Sequence, residues 1–260
     1  MMGYIIMGSP YKTHFKPTCQ SMKRKLAKKL CKETIEKDNS VILLIEGQTG
    51  AGKSTLALRL AQEFLGEDNP LDYLIFTPFE LEEKIEQAQR KGIKYPLLIW
   101  DDAGPWMQLI KRYPFDPLAV AIVGHIETMR TWTGLLVLTM TTEKHLPRAI
   151  YDNGYIYRYR ITVWKNYYDE NRGTWQAEAL LHERKRRLDG KWYWETGREW
   201  LIRFWHYKPG DVFYEEYLKL RLDYAKVYNE IMEAAKRFSK ASVSLVKAHE
   251  AWKTIRSRSL

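Results

Sequence analysis

The chain has 260 residues, 45% of them hydrophobic and 28% charged. This composition excludes a fully disordered chain, and the longest apolar run, Val41 to Ile45, falls far short of the roughly 20 residues of a bilayer span. Lys and Arg number 42 against 32 Asp and Glu, a net charge of +10, which favours a polyanionic partner and gives no reason to expect a membrane one. Only Cys19 and Cys31 are present, twelve apart and without histidines at ligand spacing, so neither a disulfide framework nor a zinc site is expected. Met1 to Met7 is too short for the apolar core of a signal peptide, and the expected compartment is the cytoplasm.

Pro10 and Pro17 break the first residues, and Thr18 to Lys37 then reads as a basic amphipathic helix with Met22, Leu26, Leu30 and Ile35 as its apolar stripe. From Val41 short apolar strands alternate with amphipathic helices. Strands are predicted at Val41–Glu46, Tyr73–Thr77, Leu97–Asp101 and Leu135–Met140, and helices at about Lys53–Leu65, Glu80–Lys91 and Leu118–Thr131. The fold class is therefore α/β, a mostly parallel sheet flanked by helices.

After Asn153 the texture becomes a β-meander. Tyr155 to Trp164 alternates, a turn follows at Asp169 to Gly173, and Thr174–Arg187 meets Lys191–Trp194 across Asp189-Gly190. Six of the ten tryptophans fall between Trp164 and Trp205, so this extension is either aromatic core or an aromatic binding face. Asp211 then caps a long helix with Tyr214, Tyr217, Tyr224, Tyr228 and Ile231 near helical spacing, and Lys240 to Arg256 reads as a last basic helix. The expected organisation is a basic N-terminal segment (1–40), an α/β core (41–162), an aromatic β-extension (163–210) and C-terminal helices (211–260).

The chemistry concentrates in Gly47-Gln48-Thr49-Gly50-Ala51-Gly52-Lys53-Ser54, a complete phosphate-loop pattern between a predicted strand and a predicted helix. Glycines let backbone N–H groups turn inward around a phosphate, and the following helix presents its positive end to the same anion. Lys53 is placed for the β- and γ-phosphates, the Ser54 hydroxyl for Mg²⁺, and Thr55 for the α-phosphate. The apolar run Leu97 to Trp100 ends in Asp101, the candidate metal-orienting carboxylate. Asp102 follows as candidate base, or else as a loop carboxylate. One predicted strand and helix separate the loop from this carboxylate, which suits a sheet with an extra strand inserted between the two. Asp101-Asp102-Ala103-Gly104 satisfies the GTPase D-x-x-G pattern, but no N-K-x-D follows, which favours ATP over GTP. Thr141 or Thr142, after the next strand, is a candidate γ-phosphate sensor. Arg148, Arg158, Arg160 and Arg130 are candidates for an arginine finger.

Through GQTGAGKST, LLIWDDAG and LLVLTMTTEKHLPRAI, the stretch from Val41 to about Ile161 resembles an AAA+-type P-loop ATPase of the additional-strand class, similar to ATPases of archaeal viruses and plasmids. The resemblance implies a homo-oligomeric, Mg²⁺-dependent ATPase working on DNA in replication, loading or packaging, in the host cytoplasm. Two features depart from that pattern: Asp102 stands in place of glutamate, and the C-terminal third is β-rich and aromatic where a helical lid is usual. Arg184 to Arg187 beside Trp192 and Trp194 form a candidate DNA contact, with a charged edge strand as the ordinary alternative. Competing readings are a small-molecule kinase and a nucleotide-gated binding module with little hydrolysis.

Overall fold

A computed structural model describes residues 19, 22, 25–66, 69–237, 248–250 and 252–253. Among these residues seven strands form one sheet, in the order β2 (Leu74–Ile75), β3 (Tyr95–Trp100), β4 (Thr133–Met140), β1 (Val41–Glu46), β5 (Tyr157–Asp169), β6 (Thr174–Arg186) and β7 (Trp192–Trp205). The strand β1 (Val41–Glu46) is apolar through Ile45 and buried on both faces, which a central strand of a parallel sheet requires. It pairs in parallel with β4 (Thr133–Met140) on one side and with β5 (Tyr157–Asp169) on the other. β4 in turn pairs with β3 (Tyr95–Trp100), so β4 is the strand that separates β1 from β3.

The helix α2 (Lys53–Leu65) matches its predicted span, burying Leu56, Leu60 and Phe64. The strand β2 is only Leu74–Ile75, shorter than predicted. Pro70 opens a 3₁₀ turn that runs to Tyr73, and Thr77 is already the cap of α3 (Pro78–Lys91). That cap is a reciprocal pair, Thr77 Oγ1 accepting from Glu80 N at 3.1 Å while Glu80 Oε2 accepts from Thr77 N at 2.8 Å. A nine-residue helix that periodicity does not announce, α4 (Gly104–Arg112), follows the Asp101-Asp102 pair. The helix predicted to Thr131 ends earlier, as α5 (Pro117–Glu127) and a 3₁₀ turn. A short helix, α6 (Arg148–Asp152), leads into β5.

At the N-terminal end the helix α1 (Lys25–Cys31) continues as a π-helical turn to Glu36. Glu33 in that turn accepts from Lys37 (2.7 Å), Asn39 (3.2 Å) and Arg158 of β5 (3.1 Å), tying the segment to the sheet. Thr18, Lys23 and Arg24 lie outside the described residues, as does most of the last basic helix, of which 248–250 and 252–253 are helical. Cys19 and Cys31 form a disulfide, their Cα atoms 5.6 Å apart, which corrects the expectation that they stay unpaired. Eleven residues lie between them in the sequence, and Cys31 ends α1, a pairing that spacing alone does not reveal. The cysteines therefore no longer argue for a reducing compartment.

The meander joins the same sheet. β6 (Thr174–Arg186) pairs antiparallel with β5, and β7 (Trp192–Trp205) antiparallel with β6. The boundary expected at 162/163 thus falls inside β5. Its aromatic residues divide into two sets. Trp192 and Trp194 pack edge-on against Tyr155 and Tyr157 at 5.2 and 5.3 Å, whereas Trp164 and Trp175 are each 38% exposed.

A polar chain crosses the meander. Thr162 Oγ1 donates to Glu46 Oε1 (3.2 Å), so its oxygen accepts from His182 Nε2 (3.2 Å) and His182 Nδ1 accepts from Thr196 Oγ1 (2.6 Å). Burial, helped by Arg160, lowers the His182 pKa to about 4. Between pH 6.5 and 4 the unfolded chain therefore takes up a proton there that the native chain refuses, and stability falls as pH drops through that window. His182→Gln is expected to flatten this part of the profile, read from urea midpoints between pH 7 and pH 4.5.

The long helix α7 (Val212–Arg237) starts at Asp211, whose Oδ1 accepts from Tyr214 N at 3.1 Å. Its aromatic face lies over the loops that follow β2 and β3. Tyr224 stacks on Phe76 (4.8 Å) and its hydroxyl accepts from Trp106 Nε1 (2.9 Å), while Tyr228 meets Trp106 edge-on at 5.5 Å.

Candidate phosphate-binding site

β1 delivers the chain into the loop at residues 47–52, and α2 begins directly after it. Positive φ at Gly47, Gly50 and Gly52 (151°, 80° and 102°) produces the turn. Gly52 occupies the N-cap of α2, and no side chain caps that end, so its first-turn N–H groups face the loop without an internal acceptor. Gln48, Thr49 and Gly50 are exposed, while Ala51 and Thr55 are buried.

The Lys53 ammonium folds back onto its own loop, donating to the carbonyls of Gly47 and Gln48, both at 3.0 Å. Burial lowers its pKa, against the opposing pull of Asp102 and Asp101. A buried cation hydrogen-bonded to neutral carbonyls beside an uncapped helix end is arranged to receive an anion.

Asp101 is fully buried and accepts three hydrogen bonds: from Ser54 Oγ (2.8 Å) and Thr139 Oγ1 (2.5 Å) at Oδ1, and from Tyr217 OH (2.7 Å) at Oδ2. Burial first, and the adjacent Asp102 second, raise its pKa. Asp102 has φ 49°, its N–H donates to Thr139 Oγ1 (2.9 Å), and its Oδ2 accepts from Arg221 Nε (3.1 Å) and Nη2 (2.7 Å).

The loop, Lys53, Ser54, Asp101 and Asp102 are thus one cluster. The polar residue of β4 that meets the carboxylates is Thr139. Thr141 is exposed at the edge of an adjacent cleft of about 330 Å³, lined also by Asp102, Gln108, His145 and Tyr224. Thr142 caps the following 3₁₀ turn, accepting from Lys144 N at 3.3 Å. A larger hollow of about 780 Å³ lies along α3 and β2, lined by charged side chains and away from the loop.

The four candidate arginines pair elsewhere. Arg130 lies 3.5 Å from Asp38, Arg148 3.0 Å from Asp152, Arg158 3.1 Å from Glu33, and Arg160 2.6 Å from Glu143. Sequence reasoning missed Thr139, Tyr217 and Arg221. For Tyr217 and Arg221 a signal exists, since both sit four or seven residues from tyrosines of the α7 stripe and share its face.

Strand, glycine loop and helix, with an aspartate after the strand two places away in the sheet, constitute a P-loop NTPase fold. No protein-family model matches the chain. An uncharacterized protein of Acidianus two-tailed virus is 30% identical over 105 residues, 40% of this chain and 37% of that protein, so the chain spans little more than a third of that relative's length. Among solved structures, the N-terminal domain of zonular occludens toxin from Neisseria meningitidis is 14% identical, with a TM-score of 0.37, covering 67% of this chain and 97% of that one. The flagellar accessory protein FlaH from Methanocaldococcus jannaschii is 12% identical, with a TM-score of 0.32, covering 63% and 84%. A KaiC-like protein from Pyrococcus horikoshii is 15% identical, with a TM-score of 0.27, covering 63% and 89%.

Proposed function

We propose that this chain binds ATP with Mg²⁺ and hydrolyses it, as a P-loop ATPase of the additional-strand class. The observation that carries this reading is the 2.8 Å hydrogen bond from Ser54 to Asp101, which joins the end of the loop to the carboxylate after β3. The donor set fits the ligand: an ammonium, uncapped helix amides, a hydroxyl and a buried carboxylate suit a magnesium-bound polyphosphate. Ser54 and Asp101 would hold the metal, and Lys53 with the 47–52 amides would hold the phosphates. Bound Mg²⁺ supplies charge neutralisation at the phosphoryl oxygens. Thr139 fixes Asp101 and the backbone of Asp102, and Asp102, once released from Arg221, is the group placed to orient or deprotonate water.

The insertion of β4 between β1 and β3 supports the additional-strand assignment. The choice of adenine rests on the missing N-K-x-D. Replacing Lys53 by Ala is expected to weaken ATP binding at least 100-fold, measured by calorimetry, and to abolish phosphate release. Undiminished binding by that variant would overturn the reading.

DNA as the substrate of the work, and a homo-oligomer as the working form, belong to the same proposal and rest on the net charge of +10 and the sequence resemblance. The support from Arg184–Arg187 is reduced. Arg184 is buried, its guanidinium 5.0 to 5.8 Å from the ring centres of Tyr151, Tyr157, Trp192 and Trp194, and Lys185 pairs with Glu195. A DNA role demands affinity that falls steeply with added salt. The reading as a nucleotide-gated module with little hydrolysis is favoured by one observation, the pairing of Asp102 with Arg221. ATP binding without phosphate release in the same assay would select it.

A further inference from the structure

We propose that α7 is a latch on the magnesium side of the site, and that loading the metal requires Tyr217 to leave Asp101. The inference rests on the reading of Ser54 and Asp101 as the metal-holding pair. Asp101 is wholly enclosed, and three of its four lone-pair sites are taken, two on Oδ1 by Ser54 and Thr139 and one on Oδ2 by Tyr217. Mg²⁺ keeps several of its waters when bound through one or two protein groups. The Tyr217 hydroxyl, 2.7 Å from Oδ2, therefore stands where a water of that shell would donate.

One helical turn further on, Arg221 donates from Nε and Nη2 to Asp102 Oδ2, at 3.1 and 2.7 Å. A single helix thus occupies both carboxylates of the cluster at once. The latch is seated by packing: Tyr214 stacks on Tyr217 (5.5 Å) and on Tyr207 (5.0 Å), and Tyr224 on Phe76. Residues 206–211 join β7 to α7, and the entry to the helix is a tight turn in which Asp211 N donates to Lys208 O (3.2 Å) across Pro209 and Gly210, the latter at φ 78°. The closed form gives a buried carboxylate its third donor in the absence of metal. Metal and latch then compete for one oxygen, and nucleotide without metal has no reason to open it.

The test uses the full chain and ADP, with Mg²⁺ or with EDTA. Tyr217→Phe keeps the ring and deletes the hydroxyl. It should bind ADP·Mg²⁺ about tenfold more tightly than wild type in calorimetry, with ADP affinity in EDTA unchanged. In the wild type, hydrogen exchange at the amides of 213–224 should rise on adding ADP·Mg²⁺ and stay level with ADP in EDTA, a readout that needs no variant to fold. Equal or weaker ADP·Mg²⁺ binding by Tyr217→Phe, or α7 amides indifferent to the metal, would overturn the latch while leaving the nucleotide site standing. A wild type that binds ADP under neither condition would overturn both.

Discussion

Gly47→Ala is expected to be the most damaging single-methyl change in the site, costing about 3 kcal/mol or more and lowering the melting temperature by roughly 6–12 °C. Two independent terms add. A φ of 151° is strained for any residue with a Cβ, and a Cβ placed there would sit 2.3 Å from the carbonyl oxygen of Val163. That oxygen cannot step aside, because it belongs to β5 next to the pairs Glu46↔Thr162 and Ile45↔Ile161. Gly50→Ala supplies the contrast. A Cβ at Gly50 meets nothing within 4 Å, so only the positive φ opposes it, at about 1 kcal/mol. Gly50→Ala should fold, and its damage should appear in nucleotide affinity. Differential scanning calorimetry of the two variants side by side decides the matter, and equal melting temperatures would contradict the packing of β5 against the loop.

Asp101→Asn is expected to stabilise the protein in the absence of nucleotide and to cripple its use of magnesium. Burial and Asp102 raise the Asp101 pKa in the folded state, so the native chain binds this proton more tightly than the unfolded chain does. Stability contributed by the protonated form is complete below the ordinary value of 3.8 and is lost as pH rises through the higher folded value. Asparagine removes that loss. Its Oδ1 can still accept from Ser54 and Thr139, and its amide can donate to the Tyr217 oxygen. A gain of about 1–2 kcal/mol above the raised folded value follows, or roughly 2–8 °C in melting temperature. The same variant should lose at least tenfold of the advantage that Mg²⁺ gives to ADP binding. Thermal melts of both proteins at rising pH, starting near the ordinary value of 3.8, should show the wild type falling relative to the variant. An unchanged or lower melting temperature for Asp101→Asn would count against the electrostatic account of the site.

What the sequence makes legible here is what is local. The run 47–54 carries its own geometry, since glycines, lysine and serine at fixed offsets set the loop and the start of α2 together. Asp101 is legible because it ends an apolar run. Thr139 is not, because its partnership with Asp101 depends on strand register: Trp100 pairs with Leu138, which sets the next residue of each strand side by side. Nothing in the composition of Leu135–Met140 reveals that offset, and the exposed threonines after the strand draw attention instead. Tyr217 and Arg221 lie 116 and 119 positions beyond their carboxylates, a separation across which a helix stripe announces burial but not what it is buried against. The run Arg184–Arg187 misleads for a related reason. In a strand, successive residues face opposite ways, so Arg184 is enclosed by four rings while Lys185 is exposed and pairs with Glu195.

The contact of Gly47 with Val163, and of Gly52 with His206 just beyond β7, gives the C-terminal ribbon a duty that its late position in the chain conceals. It serves as the outer wall of the glycine loop. A fragment stopped after β5 would keep Val163 but lose Phe204 and His206 from the Gly52 side of the loop, so a piece meant to preserve the whole wall has to carry β6 and β7 along with the motif.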